Sequence, residues 1–405
     1  MTFKLFFLSE KPTNSKYLKK DYFKNNEIIL FRLVYKINLS IIICNKFIKK
    51  SCSLLLIVII FKSSVFKLSK GVKMKFIKEK YIPLNIIDTQ EYIKIIKDTF
   101  ERELAKYLNL KRISAPIFVT SDSGLQDNLS GVERRVAFDI KKDNKTLEIV
   151  QSLAKWKRLA LYRYNFELHT GLYTDMTAIR RDEMIDEIHS IYVDQWDWEK
   201  VIEKQDRNLE YLYSTVDSIC KAIKSTSKKL KRVCKIDLPN IKEKCFFITS
   251  QELLNMYPNK SPKEREYLIT KKHKTVFISQ IGGNLSNNIP HDLRAPDYDD
   301  WTLNGDLFYY DEVLDIALEL SSMGIRVDSQ KMQEQLSLAN KEERLAFQFH
   351  KDIISNKLPL TIGGGIGQSR LCLLLLGRAH IGEVQASYWD EETISICNER
   401  KINLL

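Results

Sequence analysis

Apolar positions recur at helical spacing early in the recognisable part of the chain. Ile93, Ile96, Phe100, Leu104 and Leu108 fall on one face, which predicts a helix ending near Asn109. Asp88-Thr89-Gln90-Glu91 has the form of a capping box at its start. Residues 112–120 then read as a strand containing Pro116, which suits an edge or an interface. Residues 132–151 read as a hairpin turning at 142–145, and 153–164 as a helix. Residues 172–180 and 188–193 read as two strands joined by a charged loop, 181–187, and a long helix is expected from Trp198 onward. Within that helix, 225–232 is a basic stretch best read as a solvated face. Residues 276–281 and 303–310 read as strands, while 314–321 fits helix and strand alike. Residues 360–362 lead into a Gly-rich turn and a helix through Leu376. Strands and helices mixed without a βαβα rhythm predict an α+β fold with a largely antiparallel sheet flanked by helices.

The first 73 residues break this pattern. Their apolar runs, 40–44 and 54–61, are far shorter than the ~20 residues of a spanning helix and are separated by Lys46, Lys49 and Lys50. The longer run also starts late for a signal peptide. Met74 opens Met-Lys-Phe-Ile-Lys, and the expectation is that 1–73 is a basic, apolar-patched extension outside the native protein, with 74–405 a single catalytic domain. Net charge changes the picture further. The chain carries +12, but 1–73 hold 15 Lys and Arg against 3 Asp and Glu, which accounts for all of it. The balanced remainder has no excess charge for a sequence-independent grip on nucleic acid. Seven scattered cysteines, with no CxxC or Cys/His spacing, read as reduced cytosolic thiols.

Six segments carry candidate chemistry. In Thr361-Ile-Gly-Gly-Gly-Ile-Gly-Gln-Ser-Arg370, glycines at the start of an apolar helix let backbone approach an anion, and Arg370 adds a planar fork for phosphate. Arg180, at a strand end before a polar loop, suits the α-phosphate of a nucleotide or else a surface salt-bridge cluster. Glu319 and Ser322 can share a hard cation such as Mg²⁺, or belong to a helix C-terminus capped by Gly324. The acids of 294–301 and Asn304-Gly-Asp306 belong in exposed turns or around an ammonium group. Gln126–Gly131 is a turn by composition, and Trp196 and Trp198 fit a core.

Taken in order, nine segments resemble one family. They are QDNLSG (126–131), QSLAKWKR (151–158), GLYTDM (171–176), HSIYVDQWDWE (189–199), SQELL (250–254), HDLRAPDYDDW (291–301), LNGD (303–306), ELSSMGIRVD (319–328) and TIGGGIGQSRL (361–371). From Met74 to Leu405 the chain resembles the ammonia-dependent aspartate–ammonia ligases, the A-type asparagine synthetases. That family is similar to the catalytic core of class II aminoacyl-tRNA synthetases without an anticodon-binding domain. The resemblance implies a cytoplasmic homodimer that joins ATP, aspartate and ammonia through a β-aspartyl adenylate, giving asparagine, AMP and pyrophosphate. It implies Arg180 on the α-phosphate, Arg370 with Gly364, Gly365 and Gly367 on the ATP, and Glu319 and Ser322 on Mg²⁺. Ser152, Gln195, Asp197, Asp299 and Arg326 are the expected aspartate ligands. Asp127 is the expected base for ammonium, with Asp299 as rival. The segment 301–303 is shorter than in relatives, which is expected to leave the pocket more open, and 181–187 matches weakly. A class II synthetase charging tRNA with aspartate or asparagine, and a silent adenylate-binding paralogue, remain alternatives. Neither nucleic acid nor, unless the extension is real, a membrane is an expected partner.

Overall fold

A computed structural model describes residues 81–405 apart from 128, 130–132 and 235; the expectations for 1–73 lie outside these residues. The elements run α1 (Ile86–Leu108), β1 (Leu110–Arg112), β2 (Phe118–Thr120), β3 (Ala137–Asp139), β4 (Thr146–Ile149), α2 (Ala154–Arg163), β5 (Gly171–Ile179) and β6 (Tyr192–Val201). Then come α3 (Leu209–Val233), β7 (Phe246–Thr249), α4 (Ser250–Met256), α5 (Pro262–His273), β8 (Thr275–Ser279), β9 (Asp299–Asp311) and β10 (Ile316–Arg326). The chain ends with α6 (Ser329–Leu338), α7 (Gln348–Ile354), β11 (Thr361–Gly367), α8 (Gln368–Leu376) and α9 (Glu391–Glu399).

Eight strands form one sheet in the order β1-β5-β6-β11-β10-β9-β8-β7. The pairs from β5 through β8 are antiparallel, and only the two end pairs are parallel. The largely antiparallel α+β fold is thus the observed one. Alternation along β6 sorts its residues by face. Trp196 and Trp198 are buried in the main core with α1, α3 and α8, and Phe100 of α1 lies against Trp196 with ring centroids 4.7 Å apart. Gln195, Asp197 and Glu199 therefore project from the other face. Helix α2 packs on that face over Leu172, Met176 and Ala178 of β5.

Several elements differ from the sequence expectation. Helix α1 starts earlier, because Asn85 caps it, its side chain accepting from the Ile87 and Asp88 amides. Asn109 ends it in the left-handed conformation, as expected. The strand expected at 112–120 is two short strands in different sheets, since Pro116 lies between them and offers no amide for a ladder. The second strand of the expected 172–193 pair starts at Tyr192, and the long helix begins only at Leu209, where Asn208 caps it. Tertiary burial of two Trp rings decided against a helix there. The ambiguous 314–321 is strand, and the Gly-rich segment is strand β11, not a turn. The 137–149 hairpin is present.

The buried His380 lies near the C-terminus, its Nδ1 accepting from the Gly382 amide at 3.0 Å, a contact that requires the neutral ring. Burial pulls its pKa down to about 4. The unfolded chain takes up this proton near pH 6.5 and the folded chain near pH 4. The stability tied to the neutral ring is therefore complete above pH 6.5 and is lost as pH falls towards 4, by roughly 3 kcal/mol. Urea titrations should show a shallower loss of stability over this window in His380→Gln than in wild type; parallel curves would contradict the assignment.

Candidate active site

A cavity of about 330 Å³ opens on the polar face of the sheet, over its central strands. Register puts Ser322 beside Gly365, and Gly365 beside Asp197. The glycines of β11 are required for close approach, since none of them has positive φ. A Cβ on Gly365 would lie 2.5 Å from Gln195 Oε1 and 2.7 Å from Asp197 Oδ1, and one on Gly363 would collide with the Glu199 carboxylate. The strand is bare so that its neighbours can lean across it.

Every site residue expected from sequence lines this one cavity: Asp127, Ser152, Arg180, Gln195, Asp197, Asp299, Glu319, Ser322, Arg326, Gly364, Gly365, Gly367 and Arg370. Along β10, Glu319 and Ser322 are three residues apart, which in a regular strand would put them on opposite faces. A bulge between Glu319 and Ser321 changes the parity. Leu318 and Leu320 face the main core before it, Met323 and Ile325 after it, so Glu319 and Ser322 share the cavity. This replaces the helix-cap alternative. Arg370, in the first turn of α8, donates from Nη1 to the Glu319 carbonyl at 2.8 Å. Burial pushes the Glu319 carboxyl up, but Arg370 and Arg294 outweigh it and hold it below the usual range. Arg180 follows directly on β5, and its Nε is buried without an acceptor among the described residues; Glu183 stands 4.0 Å from its Nη1. A buried guanidinium nitrogen lacking an acceptor suits an incoming anion.

The cavity also holds a set of acidic and basic side chains around Asp197. Its Oδ1 is 3.3 Å from Lys157 Nζ, while its Oδ2 is buried without a donor among the described residues. Lys157 also donates to the Gly364 carbonyl at 2.8 Å; burial pulls its pKa down, against the pull of Asp197. Arg326 is gripped by Glu199, with Nη2 to Oε2 at 2.7 Å and Nε to Oε1 at 2.9 Å, and by Asp299. Burial raises the Asp299 carboxyl beyond what Arg326 draws down. The buried Asp127 accepts from the Leu129 amide at 2.9 Å. Ser152 accepts from the Ala154 amide at 3.1 Å where α2 begins. Beneath this set, Asp297 binds Lys155 at 2.7 Å, Arg344 at 2.9 Å and His350 at 3.0 Å. The acids of 294–306 are thus mostly buried ion-pair partners, not exposed turns: Asp297, Asp299, Asp300 and Asp306 are all below 5% exposed. The segment 301–303 is part of β9, and its residues do not line the cavity.

Sequence reasoning gave no role of their own to Lys157, Glu199 and Asp194, and placed Asp306 in an exposed turn or around an ammonium group. All four stand inside quoted segments, and their signal is charge at positions the fold buries. Asp306 pairs with Ser322 across the β9–β10 ladder, contacts Arg294, and keeps Oδ1 buried without a donor among the described residues. Asp194 bears on the expected anion site at the start of α8: its carboxylate accepts from one amide of that helix end, Ser369, at 3.1 Å.

Comparisons with known proteins agree with this geometry. The family model for aspartate-ammonia ligase matches residues 87–401. Aspartate–ammonia ligase from Clostridium tetani is 56% identical over 81% of this chain and 96% of its own. That from Clostridium perfringens is 56% identical over 82% and 99%. Among solved structures, asparaginyl-tRNA synthetase from Pyrococcus horikoshii, complexed with asparaginyl-adenylate, superposes with a TM-score of 0.53 at 15% identity, over 74% of this chain and 68% of its own. The Entamoeba histolytica asparaginyl-tRNA synthetase gives 0.52 at 14% identity, over 75% and 68%. The fold is that of the class II aminoacyl-tRNA synthetases, and the extent and level of identity to the ligases decide the rest: the chain belongs to the aspartate–ammonia ligase family.

Proposed function

We propose that this chain makes asparagine from aspartate, ammonia and ATP in two steps at this cavity. The aspartate β-carboxylate attacks the α-phosphorus and pyrophosphate leaves. Ammonia then attacks the acyl carbon of the β-aspartyl adenylate, AMP leaves, and one ammonium proton goes to a base. The observation that carries this reading is the pair of unsatisfied atoms in one cavity, a donor at Arg180 Nε and an acceptor at Asp197 Oδ2. The first suits phosphate and the second an amino group.

Arg180 takes the α-phosphate and Arg370 the outer phosphates, so that two anions can approach. Gly364, Gly365 and Gly367 leave room for the nucleotide. Glu319 and Ser322, with the orphaned Asp306 Oδ1 next to Ser322, form a hard-oxygen set that fits Mg²⁺. When bound there, Mg²⁺ would supply neutralisation of the phosphate charge. Asp197, Gln195 and Ser152 receive the amino-acid head group, and Lys157 and Arg326 meet its carboxylate. Asp299 holds Arg326 and remains the rival to Asp127 as base. Exposed Ile117, Phe118 and Phe138, the last two 5.6 Å apart edge to face, offer a surface for a second copy in a homodimer. Five buried free cysteines among the described residues suit a reducing cytoplasm.

The direct test incubates the 405-residue chain with ATP, Mg²⁺ and aspartate, with and without ammonium, and quantifies AMP and asparagine. Equal amounts of both, only with ammonium, are expected. Pyrophosphate exchange without asparagine would favour the tRNA-charging alternative, which the asparaginyl-tRNA synthetase fold keeps in view, and tRNA aminoacylation would then be assayed. Asp127→Asn is expected to keep aspartate-dependent pyrophosphate exchange while ammonium-dependent synthesis falls about 10²- to 10⁴-fold. Full synthesis with only a raised KM for aspartate would make Asp127 a binder.

A further inference from the structure

Asp194 lies on β6 three residues before Asp197, at the opposite parity of the strand, and its side chain turns to a different set of partners. It lines the cavity wall and is buried. Its Oδ2 accepts from Ser369 Oγ at 2.8 Å and Lys97 Nζ at 3.2 Å. Its Oδ1 accepts from the Ser369 amide at 3.1 Å and Gln385 Nε2 at 3.2 Å. Gln385 in turn accepts from Ser190 Oγ at 2.6 Å. One carboxylate thus joins α1, β6, the first turn of α8 and the segment after it.

Two consequences follow from charge and position. A carboxylate at a helix N-terminus is stabilised by the free amides there. It fixes the first turn of α8, and the next residue along that turn is Arg370. The far end of Arg370 is held separately, on the Glu319 carbonyl. Lys97 then supplies the counter-charge. Burial pulls the Lys97 ammonium down, Asp194 outweighs it, and the net shift is upward.

We propose that Asp194 is the positioning residue for Arg370, and that Lys97 of α1 holds Asp194 in that role, so that α1 and the nucleotide end of the cavity are coupled through a single carboxylate. This rests on the placement of ATP at Arg370 proposed above. Loss of a buried charge-assisted hydrogen bond typically weakens the dependent interaction about tenfold or more.

The test uses Asp194→Asn, Lys97→Met and their double variant in the 405-residue chain. Asparagine synthesis is measured against ATP and against aspartate, and calorimetry measures affinity for a non-hydrolysable ATP analogue. Each single variant is expected to raise the ATP KM and weaken analogue binding about tenfold, with the aspartate KM changed less than about twofold. The double variant should be little worse than either single, because both act through one contact. In an Arg370→Ala background, Asp194→Asn should add nothing further. Full additivity there, equal rises in both KM values, or no change would each overturn the proposal. If Asp194→Asn does not fold, Lys97→Met and Ser369→Ala read the same contact from its other ends with the same expected outcomes. A wild-type chain that makes no asparagine but binds the analogue would fail the ligase reading and leave this coupling readable by calorimetry.

Discussion

Arg180→Ala is expected to lower kcat/KM for asparagine formation by about 10³-fold, the largest effect of any single change at the nucleotide end. Its location explains why. The backbone amide of Arg180 bonds the Ile191 carbonyl at 2.9 Å, so the residue is anchored where β5 and β6 diverge, although the loop beyond it is polar. The side chain then enters the cavity wall, where its Nε is buried and no acceptor among the described residues is in reach. Glu183 at 4.0 Å offsets the charge only weakly. The guanidinium is 27% exposed, but its Nε is already cut off from water, so an anion binding there supplies the acceptor that this nitrogen lacks. In the proposed first step the gain is greatest as the attacking carboxylate closes on the phosphorus and negative charge accumulates. The interaction is therefore stronger in the transition state than in the ground state, and kcat should fall along with the rise in KM. Arg180→Lys keeps the charge but loses the fork, and should recover only part of the rate. Initial rates of AMP and asparagine release, compared between the three proteins, decide the matter. A loss below tenfold in Arg180→Ala would remove the α-phosphate from this residue.

The degree to which the site was legible in sequence varied with the physics of each segment. Helix α1 and the strands expected at 276–281 and 303–310 announce themselves in the sequence, because their burial is one-sided or complete over several residues, whereas the first four residues of β9, from Asp299, do not. Strand β6 was displaced, because a run of Asp, Gln and Trp satisfies both a strand and a helix start until two Trp rings must enter one core. Glu319 and Ser322 were paired from their residue types, but a helix C-terminus capped by Gly324 fitted the segment equally well. Their shared face depends on a bulge, and a bulge has no residue type of its own in ELSSMG. The β11 glycines read as a turn because φ freedom is the commoner use of glycine. Here their use is the absence of a Cβ beneath Gln195, Asp197 and Glu199. Lys157, Glu199 and Asp194 were passed over for one reason: each acts through a partner more than 90 residues away in sequence, and no local pattern carries that information.

Glu199 shows what such a long-range partner is worth. It is fully buried, receives two nitrogens of Arg326, and accepts from Thr361 Oγ1 at 2.7 Å. Burial pushes its carboxyl up, yet Arg326 outweighs burial and holds it below the usual range, so the pair stays ionised. Breaking such a pair from one side leaves an uncompensated buried charge, and Glu199→Ala is expected to cost about 3–5 kcal/mol of stability. Removing both partners is a different experiment. Glu199→Gln with Arg326→Met deletes both charges of the pair, leaving Asp299 to lose Arg326 as in the Arg326→Met single variant, and the stability lost should fall short of the sum of the two single losses by at least about 1 kcal/mol. The activity readout separates structure from function. If Glu199 serves to aim Arg326 at the aspartate carboxylate, Glu199→Gln should raise the aspartate KM about tenfold and leave the ATP KM near wild type, since Arg180 and Arg370 bind elsewhere in the cavity. Equal rises in both constants, together with a lowered melting temperature, would reduce Glu199 to a support of the sheet. An unchanged aspartate KM in a stable Glu199→Gln protein would free Arg326 from any part in holding the substrate.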